Sequence, residues 1–354
     1  MEKVSKKING KSRNRNLNPV IIFLFSILVI YTLTLFFILG WGLMTSFKSA
    51  AEFSLRPDTA GGPNVLGLPD FKWQEWYHNL ENTIKESKGE ITQAWSPFLN
   101  YKNVLTRFEL TVDSSITSYY SNIWGYVEGQ ESYTAGFGHF ILNSFVFSIV
   151  GPLVCVFTTM TISFLCQKYR YKFSSIVYTV LLVLMTVTLI GTGPATIEVT
   201  RSLGIYSTYG AIIIMNLHFN GLYFFVFYAH FQGVSDGFLE AAEIDGSSQL
   251  MSYLRIVVPL SAKIFGTIFL MVFIANWNSY DLSLVYYPSK PTIAYAIYML
   301  ENNPNKGNGV DRYDAFGLPQ KVAGMMILAI PVLILFLAFK DMIMGNLSMG
   351  GLKE

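Results

Sequence analysis

Charge is scarce in this chain of 354 residues: only 14% are Asp, Glu, Lys or Arg, where a soluble domain carries about 25%. With 52% apolar residues, that scarcity argues against an ordinary soluble enzyme and against a disordered chain. Lys and Arg number 25 against 23 acids, a net +2, so no nucleic acid or other polyanion is implied as a partner. Cysteine is nearly absent. Cys155 and Cys166 sit in an apolar stretch and form neither a disulfide framework nor a C-x-x-C pair; they read as small buried residues. H-E-x-x-H, G-x-S-x-G and dinucleotide fingerprints are missing from any suitable context, so no catalytic residue and no metal ligand is assigned. Gly10-Lys11-Ser12 matches the end of a phosphate-binding loop, but Ser5 stands where its first glycine is required and no strand precedes it.

What the chain has instead is long uncharged runs. Crossing about 30 Å of hydrocarbon takes about 20 helical residues. Val20–Met44 and Phe140–Leu165 run 25 and 26 residues without a charge, and Phe173–Ile190 and Val322–Phe339 run 18 each. Ala211–Phe231 gives 21, interrupted only by His218 and His230, and Ile264–Tyr280 gives 17. The expected fold is an all-α polytopic membrane protein with six transmembrane helices. Barrel strands would alternate in polarity, and these runs do not. The first run exceeds the 7–15 residues of a signal-peptide core and reads as a retained span.

Basic residues set the expected orientation. Residues 1–18 hold Lys3, Lys6, Lys7, Lys11, Arg13 and Arg15 against Glu2, and the turn after the second span holds Lys168, Arg170 and Lys172. Both should face the cytoplasm, which puts both termini inside. The expected organisation is a basic tail (1–18), a first span (19–45), an extracellular insertion (46–138), a five-helix core (139–345) and a C-terminal tail (346–354). The insertion carries seven Lys/Arg and eleven Asp/Glu, as an outside segment should. Four of the six tryptophans, Trp73, Trp76, Trp95 and Trp124, lie in it. Asp70 could cap a helix there, and the aromatics read either as a subdomain core or as faces for sugar. The loop 285–321 breaks the charge rule mildly, with Lys290, Lys306, Arg312 and Lys321; it folds over an outside partner or serves as a linker.

The most patterned polar segment is 236–259, between the fourth and fifth spans. Glu240-Ala241-Ala242 begins a short helix, Gly246 suits a chain reversal, and Pro259 fits the first turn of the next membrane helix. The spacing Glu240-Ala241-Ala242, three residues, Gly246, nine residues, Ile256-Val257-Val258-Pro259 resembles the EAA loop of ABC-importer membrane subunits, with Val258 in place of Leu. Leu99–Leu105, Asn143-Ser144, Leu203-Gly204-Ile205, Trp277-Asn278 and the Gly350-Gly351-Leu352-Lys353 tail are similar to permeases of the maltose type. Departures are the enlarged segments 57–95 and 106–132, the long loop 285–321, and Ser235 where such permeases have Pro.

The resemblance implies a non-catalytic permease for carbohydrate in a bacterial cell membrane. Its implied partners are a second, similar permease, two ATP-binding subunits that hold ATP and Mg, and an extracellular solute-binding protein. This chain itself would carry no cofactor. Glu240, Ala241, Ala242, Asp245, Gly246 and Pro259 become the expected coupling residues. For the substrate path the candidates are Asn216, Asn220, Tyr223 and Phe227 at i, i+4, i+7 and i+11 of the fourth span, with Asn276, Trp277 and Asn278 in the fifth. Interhelical packing explains the same stripe equally well. His218 reads as a packing residue, and Glu198 with Arg201 as a solvated local pair. Glycerol phosphate is an alternative cargo. A secondary transporter would need ionisable groups within the spans, which are almost lacking. A membrane-anchored enzyme would need a reactive constellation in 46–138, where His78, His139 and scattered acids show none.

Overall fold

The computed structural model describes residues 19–48, 66, 98–113, 132–169, 171–187, 192–217, 221–302 and 317–347. Among the described residues, three helices are long and apolar enough to cross a bilayer unaided. These are α1 (Pro19–Ser46), α3 (Phe137–Lys168) and α12 (Leu318–Leu347). Helix α1 has no polar face over its 28 residues, and its side chains stay exposed until its last turns, as a lipid-facing helix requires. It leans on α12 near Gly42, where a methyl group would stand 2.7 Å from the Met326 terminal carbon.

After α1 the chain is held by a short helix, α2 (Leu99–Arg107): the Asn100 amide donates to the carbonyls of Ser46 and Lys48, both at 2.7 Å. Strands β1 (Leu110–Asp113) and β2 (Ser132–Ala135) then pair antiparallel, Leu110 opposite Ala135. The helix expected around Trp73 lies outside the described residues.

Helix α3 is the axis of the bundle. Its 32 residues include Pro152, which has no N–H to give the Ser148 carbonyl. Beside it stand α4 (Lys172–Thr186), α6 (Tyr209–Asn216), α7 (Gly221–Gln232) and α10 (Ala262–Asn278). Helix α4 has 15 residues, a rise of about 22 Å, and ends before the expected Ile190. The expected unbroken fourth span is corrected to two helices, α6 and α7, meeting at 56°. The fifth is α10, with the preceding α9 (Gln249–Leu260) leaving it at 71°. Two segments expected as plain loops contain helices, α5 (Thr192–Ser202) and α11 (Ile293–Asn302). On α5, Arg201 lies over the Tyr206 ring at 5.0 Å. The bundle has two unlike ends.

Two buried clusters hold those ends. At one, Val104 of α2, Ala135 of β2, Phe140 of α3, Trp277 of α10 and Leu300 of α11 meet. At the other, Met160 and Phe164 of α3 pack on Phe227 and Phe231 of α7 and on Tyr253 of α9. Lipid tails are as apolar as these side chains, so within the bilayer the gain is close packing rather than escape from water. The hairpin end is also tied by neutral hydrogen bonds. Asn143 donates to the Pro291 carbonyl at 2.9 Å and accepts from the Tyr209 hydroxyl at 2.5 Å. Ser207, held at φ 63°, and Ser289 join through paired hydroxyls 2.7 Å apart. The Tyr133 hydroxyl donates to the Ser289 carbonyl at 2.5 Å.

Candidate functional site

The segment at the opposite end starts with α8 (Gly237–Ile244). The Asp236 carbonyl accepts the N–H groups of Leu239 and Glu240, at 2.9 and 3.1 Å. The helix is stopped at Gly246, which sits at φ +78°. There the Gly246 N–H donates to the Glu243 carbonyl at 3.0 Å and the Ser247 N–H to the Ala242 carbonyl at 2.9 Å. This crossed pair is a Schellman stop, which needs a left-handed residue four positions after the carbonyl it satisfies. The interval from Ala242 to Gly246 is therefore a geometric requirement. Ala242 is turned inward at 7% exposure; Glu240, Ala241 and Asp245 face out.

Ser248 opens α9, its hydroxyl accepting from the Met251 N–H at 3.3 Å. Over Tyr253–Val257 the helix widens to a π turn, with the Val258 N–H reaching back to the Tyr253 carbonyl. The hydrogen-bond ladder thus shifts just ahead of Pro259, which cannot donate. The expectation that Pro259 opens the membrane helix is corrected: it lies inside α9, and the 71° bend follows at Ser261. Tyr253 pins α9 to α3 through its hydroxyl, 2.7 Å from the Thr161 hydroxyl, and its ring lies 5.2 Å from that of Phe164. Burial pushes the Tyr253 phenol above its ordinary pKa. Meanwhile Ile244 is 86% exposed and Leu250 69%, with Phe238 and Leu254 also uncovered. Polar side chains thus fasten the segment inward, while these large apolar ones face outward among the described residues.

The path candidates divide. Asn216 donates to the Ile212 carbonyl at 2.8 Å, and the Asn276 amide lies 3.5 Å from the Phe147 carbonyl. Both amides close on Gly151 of α3, where a methyl would stand 3.2 and 3.3 Å from their nitrogens. Tyr223 is half-buried. Phe227 is fully buried in the cluster with Val156 and Met160, and Trp277 is 3% exposed, its indole N–H donating to the Leu328 carbonyl at 3.1 Å. These two are sealed among helices of their own chain. Asn278 is exposed and donates to the Ile274 carbonyl at 3.0 Å. Asn220 and His218 lie outside the described residues. Asn216 and Tyr223 thus stand on helices that meet at 56°, and the described polar groups that come together are Asn216 and Asn276, from different helices.

Residues 161–348 match the family described as binding-protein-dependent transport system inner membrane component. The chain belongs to that family. The match begins inside α3 and runs through α12, so it contains the whole of 236–259 and excludes α2 and the strand pair. Among relatives, the arabinooligosaccharides transport system permease protein AraQ of Bacillus subtilis is 24% identical over 212 residues, 60% of this chain and 72% of that protein. The sn-glycerol-3-phosphate transport system permease protein UgpE of Pectobacterium atrosepticum is 25% identical over 223 residues, 61% of this chain and 76% of that protein. In fold, the chain is similar to a chain of a bacterial ABC transporter involved in the import of the acidic polysaccharide alginate. The TM-score is 0.60 at 18% identity, over 90% of this chain and 95% of that one. This inner-membrane component is thus a polytopic helical permease.

Sequence reasoning missed one polar contact at this site. Lys168, read only as a marker of the inner face, donates to the Val234 carbonyl at 2.6 Å and to the Asp236 carboxylate at 2.5 Å. Its partners lie 66 and 68 residues away, beyond any local spacing rule.

Proposed function

We propose that this permease lines the path of an ATP-driven importer for neutral oligosaccharides, and that α8 is the point where an ATP-binding subunit grips it. The observation that carries the reading is the α8–α9 segment, locked internally by its Schellman stop while Ile244 and Leu250 stand uncovered. An exposed apolar patch rimmed by Glu240 and Asp245 is the kind of surface that a partner protein covers. On this reading that end is cytoplasmic, both termini are inside, and the enlarged 46–138 segment faces a solute-binding protein outside. A second, similar permease completes the cavity, and ATP with Mg binds on the two partner subunits.

The mechanism follows from rigidity. Closure of the ATP-binding pair moves α8. The π turn and Pro259 carry α9 into α10, and the bundle rocks between inward- and outward-open arrangements. Coupling needs ATP and the loaded solute-binding protein to favour the same arrangement, since a ligand shifts an equilibrium only by its differential affinity. The 71° bend at Ser261 converts a push along the membrane face into tilt of α10.

The cargo is argued from charge. No Lys, Arg, Asp or Glu occurs in 20–46, 143–167, 209–232, 264–280 or 322–339. An anion such as glycerol phosphate would find no counter-charge within these segments, whereas amides and aromatic rings suit sugar hydroxyls and faces. The same lack leaves a secondary transporter without an ion-coupling group. In proteoliposomes carrying the assembled complex, Glu240→Lys should leave the protein in the membrane and abolish uptake; unimpaired uptake would remove the coupling role. Labelled neutral oligosaccharides should enter and labelled glycerol phosphate should not; the reverse preference would overturn the cargo.

A further inference from the structure

Lys168 ends α3 with a side chain only 7% exposed, unusual for lysine at a helix terminus. Its ammonium joins three elements. It belongs to α3, it donates to the Val234 carbonyl just beyond α7, and it pairs with Asp236 at the head of α8. Asp236 stands where a carboxylate ordinarily caps its own helix, yet it makes no such bond to α8. Its carboxylate is directed to Lys168 instead. Glu240 and Glu243 share the same cleft with Lys168 and Leu239. Between α7 and α8 lie only residues 233–236, a turn that includes Gly233, so the chain path alone is a compliant joint.

We propose that Lys168 is a positioning residue that locks α8 to α3, so that displacement of α8 is carried into the bundle rather than absorbed by the 233–236 turn. The proposal rests on α8 being the grip of an ATP-binding subunit. Leu239 also packs against the cluster around Phe164, so loss of the ion pair loosens α8 without releasing it. Without Lys168, α8 and α3 move independently when nucleotide binds.

The test uses the full chain, with Cys155 and Cys166 replaced by alanine, in complex with its permease partner and ATP-binding subunits, spin-labelled at Leu165→Cys on α3 and Glu243→Cys on α8, both exposed. Pulsed dipolar spectroscopy reads the label separation without nucleotide and after trapping with ATP and vanadate. The native background should keep one narrow separation in both states, and so should Lys168→Arg. Lys168→Met, which keeps the aliphatic stem, and Asp236→Asn should lose the narrow peak and shift on trapping. An unchanged narrow peak in both of those variants, or a native separation that itself shifts on trapping, overturns the proposal. Failure of ATP-binding subunits to co-purify with the native chain sinks the underlying reading instead, and the nucleotide-free separation in the permease pair still reports whether Lys168 fixes α8.

Discussion

The two ends of the bundle solve opposite problems. At the hairpin end, Asn143, Ser144, Ser207, Ser283, Ser289 and Thr292 are all buried, and neutral hydrogen bonds tie them across elements distant in sequence. The Ser144 hydroxyl accepts the Ile293 N–H at 2.8 Å, and the Ser283 hydroxyl donates to the Lys290 carbonyl at 3.0 Å. That end completes itself. At the other end an ion pair and one tyrosine fasten the 237–260 segment, while Ile244, Leu250 and Phe238 remain exposed. On the proposed reading the first end is a stiff frame and the second, with its exposed apolar side chains, the handle by which a partner would drive it.

Breaking the handle should have the largest effect. Gly246→Val forces a β-branched residue to φ +78°, where even an ordinary L-residue costs about 1–2 kcal/mol. The Schellman stop should open, and ATP-driven uptake should fall on the order of tenfold or more, since each 1.4 kcal/mol is a factor of ten. Membrane insertion should be unchanged, as judged by the amount of folded protein extracted from membranes. Native-level uptake would show that the shape of the turn is immaterial.

Breaking the frame should act on stability first. Asn143→Ala strands the buried Pro291 carbonyl, an unsatisfied group costing about 1–3 kcal/mol, and takes the acceptor from the partly exposed Tyr209 hydroxyl. The thermal midpoint of the purified protein should drop clearly, while association with ATP-binding subunits at low temperature is retained. Loss of association with an unchanged midpoint would reverse the assignment of the two ends.

The contrast also explains what could be read in the sequence. The helix stop in 236–259 was legible because its parts are local: Ala242 and Gly246 lie four residues apart, and such stops have fixed offsets, whereas the Ser248 cap was not read. The fourth span was misread because hydropathy is blind to direction. The apolar run continues from Ala211 to Phe231 while the helix turns by 56°. Helices α5 and α11 were hidden for another reason: at 11 and 10 residues they are too short for a span and lie in segments that read as loops. Of the frame, Asn143-Ser144 was singled out, but none of its long-range pairings could be read. Nothing near Ser207 in sequence announces Ser289, 82 residues away. Pro259 was placed in the right region, but the π turn that accommodates it moved the bend to Ser261.

A gentler change sharpens the handle. Ile244→Ser removes apolar surface that is 86% exposed, so the midpoint of the isolated permease should not move. If a partner covers that side chain, association should weaken by about 1–2 kcal/mol, measured by titrating the ATP-binding subunit against the permease in detergent. Equal affinity would place the grip elsewhere on α8 or α9.

The smallest effect probes the frame by pH. Burial, and to a lesser extent the neighbouring Tyr209, push the Tyr133 phenol from 10 up to about 12. The folded state therefore favours the protonated phenol, which is also the form that donates to the Ser289 carbonyl. An unfolded chain loses this proton near pH 10, so the stabilisation is complete below that pH and drains away as pH rises toward about 12. The native midpoint should decline over that interval more steeply than that of Tyr133→Phe, which starts lower for want of the hydrogen bond but has no phenol to ionise. Parallel curves would mean that Tyr133 does not couple the strand pair to the 282–292 segment.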